Sequence, residues 1–171
     1  MSKRLTKDQY LWRQAFAASA RGTCDRFRGG CVIAREGVCI ATGYNGSAPG
    51  EAHCEEAGHE LVTSTVLLAD SEPCSSSVTH CVRTIHAEMN AIINCAIIGV
   101  SAVDCDWYIT GVPCQPCAMA MARLKPHELF VCIDGGTVED DREKLTQWWA
   151  RRATCITVYS LETLTKLGVT L

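Results

Sequence analysis

The stretch His86-Ala87-Glu88-Met89-Asn90-Ala91-Ile92-Ile93-Asn94-Cys95-Ala96-Ile97-Ile98-Gly99, followed by Trp107-Tyr108-Ile109-Thr110 and Pro113-Cys114-Gln115-Pro116-Cys117, decides the fold. Residues 87–98 read as a largely apolar helix stopped by Gly99, and residues 107–110 as a strand. The prolines suit the first turn of another helix reaching about residue 124, and Leu129-Phe130-Val131-Cys132-Ile133 is the strand after it. Helix and strand patterns thus alternate through the second half of the chain.

Working outward, Tyr10, Leu11, Ala15 and Ala18 place an amphipathic helix over residues 7–20. Residues 31–34 and 38–42 are β-rich, and the short Arg35-Glu36-Gly37 connection makes them a hairpin. Beyond residue 133, Glu139 opens a helix over residues 139–152 with an acidic start, and residues 155–159 are the last strand. This order predicts an α/β fold, a three-layer α/β/α sandwich around a mixed five-stranded sheet. No repeat or linker divides the chain, so residues 1–171 read as one domain. It carries a Cys/His-rich insertion at about residues 45–84, an irregular stretch long enough to need an anchor or a function.

Composition narrows the function. With 47% hydrophobic and 20% charged residues the chain is neither disordered nor fibrous. A net charge of −3 gives no footprint for a long nucleic acid, so a small ligand is expected. The uncharged run over residues 89–103 is short of the roughly 20 residues that span a bilayer, and no membrane association is expected. The start, Met1-Ser2-Lys3-Arg4-Leu5, has no apolar signal region, which points to the reducing cytoplasm. There the 12 cysteines are metal ligands or small apolar filler rather than a disulfide framework.

A catalytic zinc takes three protein ligands and keeps an open fourth position, which one imidazole and two thiolates supply. His86, Cys114 and Cys117 are that set, with both cysteines at a helix start where positive partial charge favours thiolate. Glu88, on the first turn after His86, can stand beside a metal-activated water without displacing it and can carry its proton. A closed structural zinc site would need another Cys/His pair in place of Glu88.

His-x-Glu followed by Pro-Cys-x-x-Cys is the signature of zinc-dependent nucleobase and nucleotide deaminases. Around it, Thr23-Cys24-Asp25-Arg26, Gly43-Tyr44-Asn45-Gly46, His53-Cys54 and Arg83-Thr84-Ile85-His86-Ala87-Glu88-Met89-Asn90-Ala91-Ile92 resemble the deoxycytidylate (dCMP) deaminase family. The resemblance runs from about residue 17 to residue 124 and implies the cytidine deaminase-like version of the sandwich. It implies hydrolysis of dCMP to dUMP and ammonia, feeding thymidylate nucleotide synthesis. Zinc on His86, Cys114 and Cys117 would activate the water, and Glu88 would shuttle its proton to N3 and then to the departing amine. Asn45 would bond the sugar or base, Arg26 the phosphate, and Ala87 would lie against the substrate; Asn-Gly alone also reads as a simple turn.

Cys54-x4-His59 has ligand-like spacing inside the insertion, and family members that resemble this chain carry a second, structural zinc. By that resemblance Cys24, Cys54 and His80 align with its ligands, and the fourth is His59, Cys74 or Cys81. Cys31, Cys39, Cys95, Cys105, Cys132 and Cys155 lie in or near apolar runs and read as core filler. The family further implies a homo-oligomer, often a hexamer, activated by dCTP and inhibited by dTTP, with Mg accompanying the nucleotide effector. The chain departs from the family at residues 134–141, Asp-Gly-Gly-Thr-Val-Glu-Asp-Asp, where an aromatic-bearing loop is expected. Of the adjacent Trp148 and Trp149, one suits a subunit contact. The competing readings are a deaminase of dCTP or 5-substituted dCMP, and an idle zinc or nucleotide-binding scaffold, which has no use for Glu88.

Overall fold

A computed structural model describes residues 4–66, 76–133 and 156–169. The first helix, α1 (Lys7–Ser19), starts on a reciprocal cap: Thr6 Oγ1 accepts the Gln9 N–H at 3.1 Å, and Gln9 Oε1 accepts the Thr6 N–H at 2.9 Å. Strands β1 (Gly30–Arg35) and β2 (Val38–Tyr44) follow as the expected hairpin. Its two-residue turn puts Glu36 and Gly37 at φ 54° and 78°, the twist that suits right-handed strands. Ile33 pairs with Ala41 but Ala34 with Cys39, so Ile40 is an extra residue that bulges β2.

The remaining elements of the main sheet are α3 (Ala87–Ile97), β7 (Asp106–Ile109), α4 (Gln115–Leu124), β8 (Glu128–Ile133), β9 (Ile156–Ser160) and α5 (Leu161–Lys166). The strand order is β2-β1-β7-β8-β9, with the first two pairings antiparallel and the last two parallel. This is the mixed five-stranded sheet expected from the sequence. Alternation along each strand divides the core. Cys31, Ile33, Trp107, Ile109, Leu129 and Val131 face α3 and α4 on one side. Val32, Ala34, Tyr108, Phe130 and Cys132 meet Leu11 and Trp12 of α1, with Leu164 and Val169 near the C-terminus, on the other. Each fully buried aliphatic side chain contributes about 1.5–3 kcal/mol, so the two cores lock the three layers together.

The insertion is more regular than its composition suggests. It contains α2 (Cys54–Ala57) and an antiparallel pair, β4 (Leu61–Val66) with β5 (Ser76–Cys81). β3 (Gly46–Ser47) pairs with β6 (Thr84–Ile85). Ser and Thr hid the β4 and β5 signal, yet a β-branched Thr suits a pleated surface, and the Thr63 and Thr79 hydroxyls bond across the pair at 2.9 Å. The anticipated helix at 139–152, the 134–141 loop, Trp148, Trp149, Cys74 and Cys155 lie outside the described residues. Among the described residues no helix is long and apolar enough to cross a membrane.

Gly43 fixes where α3 lies. A Cβ added there would stand 2.1 Å from the Ala87 carbonyl oxygen and 2.4 Å from the Ala91 nitrogen, both backbone atoms of α3. Asn90 and Asn94, one turn apart, donate to the Tyr44 and Thr42 carbonyls at 2.7 and 2.8 Å, on either side of Gly43. Gly43→Ala therefore lifts α3 from β2. The expected result is a loss of about 1–3 kcal/mol or more in urea unfolding, together with loss of bound metal at the site below.

Candidate active site

β6 leads directly into α3, and His86 is its N-cap residue at φ −68°, ψ 156°. The loop after β7 leads into α4 in the same way, with Cys114 as the N-cap at φ −71°, ψ 164° and a proline in the first turn. The two helix starts converge, bringing together residues that stand 28 and 31 positions apart in the chain. His86 Nδ1 lies 3.3 Å from Cys114 Sγ and 3.6 Å from Cys117 Sγ. Metal bonds of about 2.0 Å to nitrogen and 2.3 Å to sulfur, at tetrahedral angles, place N and S about 3.5 Å apart, so the donor set fits zinc. Cys117, hydrogen-bonded to Cys114, holds that thiol down at about 4, while its own is pushed up by the same bond and by burial. The hydrogen bond to Cys114 raises His86. Both helix starts add positive partial charge, which further favours thiolate ligands.

Glu88 is 6% exposed, on the first turn of α3. Burial raises its carboxyl above the usual range, against the opposing pull of His86 and nearby hydrogen bonds, which suits a group that must hold a proton and release it. The residue lines a cavity of about 240 Å³ that Ala87, His86 and Cys114 also border.

Asn45 is buried on the cavity wall and bridges backbone groups. Its Oδ1 accepts the Gly29 N–H at 2.7 Å and its Nδ2 donates to the Phe27 carbonyl at 2.6 Å. Its own backbone accepts from Thr23 and donates to Gly29. Asn45-Gly46 is therefore a tie between β2 and the loop before β1, with Gly46 beginning β3, rather than an isolated turn. Arg26 also lines the cavity and donates to the Thr79 carbonyl at 3.5 Å.

The second group of metal-ligating atoms differs from the expected one. Cys24, Cys54, His59 and Cys81 present donors within 4.8 Å of one another, while His80 is not among them. Neighbouring residues on a strand point to opposite faces, so β5 can send Cys81 or His80 to the cluster, but not both. His80 instead borders the cavity, its ring 5.9 Å from that of His86. Cys54 and Cys81 Sγ are 3.8 Å apart, Cys24 Sγ and His59 Nδ1 3.7 Å. Burial, with Cys81 and Cys24 close by, pushes Cys54 up to about 12. Burial also raises Cys81, but bonds from His59 and the backbone of Arg83 and Glu60 outweigh it and bring the thiol to about 7. His59 Nε2 faces the Asp25 carboxylate at 3.1 Å, a contact that orients the ring with Nδ1 toward the thiols. Nothing in the spacing of Asp25 and His59 signalled that contact. The sequence also gave no signal for Phe27, Gly111 and Val112 as cavity residues.

Comparison with known proteins places these features in a family context. Residues 5–133 match the family model described as cytidine and deoxycytidylate deaminase zinc-binding region. The chain is similar to ComE operon protein 2 of Bacillus subtilis, 36% identical over 132 residues, which are 77% of this chain and 62% of that protein. It is similar to a deoxycytidylate deaminase of Mycobacterium phage D29, 33% identical over 118 residues, 67% of this chain and 85% of that one. In fold it resembles the dCMP deaminase of cyanophage S-TIM5, solved with dCMP and dUMP, at TM-score 0.62 and 19% identity over 94% of this chain and 100% of that one.

Asn45→Ala leaves the buried Gly29 N–H unmet, at about 1–3 kcal/mol, and frees the part-buried Phe27 carbonyl at a smaller cost. Urea unfolding measures the loss, and amide exchange at Gly29 speeds up if the tie is what holds the loop.

Proposed function

The chain belongs to the cytidine and deoxycytidylate deaminase family, and within it we propose that it hydrolyses dCMP to dUMP and ammonia. The observation that carries this reading is a buried carboxylate, Glu88, that lines one cavity with His86 and Cys114 of the His86, Cys114 and Cys117 donor set. The substrate assignment draws support from the phage relative, matched over 85% of its length, and from the dCMP and dUMP bound in the structural neighbour. ComE operon protein 2 extends well beyond the part this chain covers, so its name adds no activity.

When bound, zinc acidifies water toward neutrality and so provides the nucleophile of the hydrolysis. The protein residues do the rest. Glu88 accepts the proton from the attacking water, delivers it to ring N3 as the new C4–O bond forms, and then supplies the proton with which the C4 amine leaves as ammonia. Atoms balance as dCMP plus water giving dUMP plus ammonia. Ala87 packs against the base, and Asn45, fixed by its backbone bonds, presents its amide to the sugar or base. Arg26 supplies a planar fork to the phosphate, and the His80 imidazole borders the same space.

The reading includes a structural zinc on Cys24, Cys54, His59 and Cys81, whose binding would stabilise the fold of the insertion. Thiol-rich ligand sets need a reducing compartment, so it also includes the cytoplasm. From the family resemblance it takes in a homo-oligomer, a hexamer, with dCTP and dTTP as effectors and Mg beside the effector nucleotide. Deaminases of dCTP or 5-substituted dCMP are the alternatives that an ammonia-release assay across these substrates separates.

One variant series tests the chemistry. Glu88→Ala should lose at least about 100-fold in ammonia release from dCMP while keeping its metal; substantial activity in that variant would refute the assignment. Zinc analysis should give two ions per chain for wild type and His80→Ala, and one for Cys81→Ser.

A further inference from the structure

Phe27 is 49% exposed, yet it borders the same cavity as Glu88 and Cys114. Its ring lies across two glycines. A Cβ added at Gly111 would come within 2.5 Å of Phe27 Cζ, and one at Gly29 within 3.0 Å of Cε1. Neither glycine has a positive φ, so the backbone does not demand glycine at these positions; the space taken by the ring does. The ring is also held from behind. Asn45 ties the Phe27 carbonyl and the Gly29 amide to the end of β2, so the backbone that presents the aromatic group is fixed and has less freedom to lose on binding.

Position decides what the ring meets. Gly111 is three residues before Cys114, and the Cβ envelope of Gly29 touches Ala87, which stands between His86 and Glu88. Phe27 thus lines the same cavity as His86, Cys114 and the proton carrier, where the reacting carbon of a substrate has to sit. An aromatic wall there favours a flat heteroaromatic ring by packing and stacking, and adds no polar group that would compete for the amine.

We propose that Phe27 is a substrate-binding residue, its ring forming the apolar wall against which the pyrimidine ring of the substrate packs, in a space opened by Gly111. The inference rests on the deaminase reading and deepens it by assigning the contact that holds the base.

The test uses zinc-loaded full-length chain: dUMP titrated by calorimetry and dCMP kinetics, for wild type, Phe27→Ala, Phe27→Tyr, Gly111→Ala and the Phe27→Ala/Gly111→Ala double variant. Phe27→Ala is expected to weaken dUMP binding and raise the dCMP KM by roughly 5- to 150-fold, with a smaller change in kcat. Phe27→Tyr should stay within about threefold of wild type, since it keeps the ring. Gly111→Ala should cost about as much as Phe27→Ala, because its methyl displaces the ring, and should cost nothing more once the ring is gone. Zinc content and thermal unfolding checked on each variant separate this from a loss of fold. Wild-type affinity in Phe27→Ala, or an equal Gly111→Ala penalty with and without the ring, overturns the proposal. A wild type that binds dUMP through Phe27 but releases no ammonia from dCMP refutes the deaminase reading alone. Failure of wild type to bind dUMP refutes both.

Discussion

The contact between α3 and β2 at Gly43 is the constraint on which the site depends. β2 is an edge strand, and edge strands leave carbonyls without partners. Here Asn90 and Asn94 donate to those of Tyr44 and Thr42, and the missing side chain at Gly43 lets the Ala87 carbonyl settle onto the strand. One interaction therefore covers an edge, seats a helix and aims its first turn. Because His86 is the cap of that helix and Glu88 lies on its first turn, the position of both groups relative to the sheet follows from a backbone contact on the far side of Ala87. The partner thiols on α4 come from the parallel crossover between β7 and β8, which ends its loop at the same edge of the core.

The two thiol clusters are physically joined. Cys24 and Cys81 border the cavity that contains Glu88, so the anchor of the insertion is also part of the wall. Pairing β4 with β5 gives the insertion a fixed register, and through it Cys81 faces Cys24, Cys54 and His59 while His80 faces the cavity. A slip of one residue would exchange those roles, since every side chain of a strand changes face together. Asp25 supports the arrangement from outside by orienting His59.

Much of this was readable from local pattern. The hairpin at Glu36-Gly37, the Gly99 helix stop and the alternation that splits Cys31 and Ile33 from Val32 and Ala34 are all short-range signals. The β4 and β5 strands were not, because Ser and Thr mask a β pattern whose stability depends on a partner strand elsewhere in the chain. In the second cluster the structure gathers Cys24, Cys54, His59 and Cys81 and leaves the expected His80 outside. Spacing cannot tell His80 from Cys81, which differ only in the face of the strand they occupy. Phe27 gives no local signal for a similar reason: an isolated aromatic in a polar loop has no periodicity, and its place is set by glycines at positions 29 and 111.

By itself the sequence determined the order of helices and strands, and it set His86, Glu88, Cys114 and Cys117 at helix starts as the candidate reactive groups. Those features are local, set by hydrophobic period, proline and glycine placement, and the needs of a metal-ligand set. Only the tertiary structure decided what stands beside them. Which face His80 and Cys81 occupy, which backbone groups Asn45 ties together, and which ring fills the space above Gly111 each depend on contacts between distant segments. Such contacts are fixed by packing the whole chain at once, and no short stretch of residues contains them.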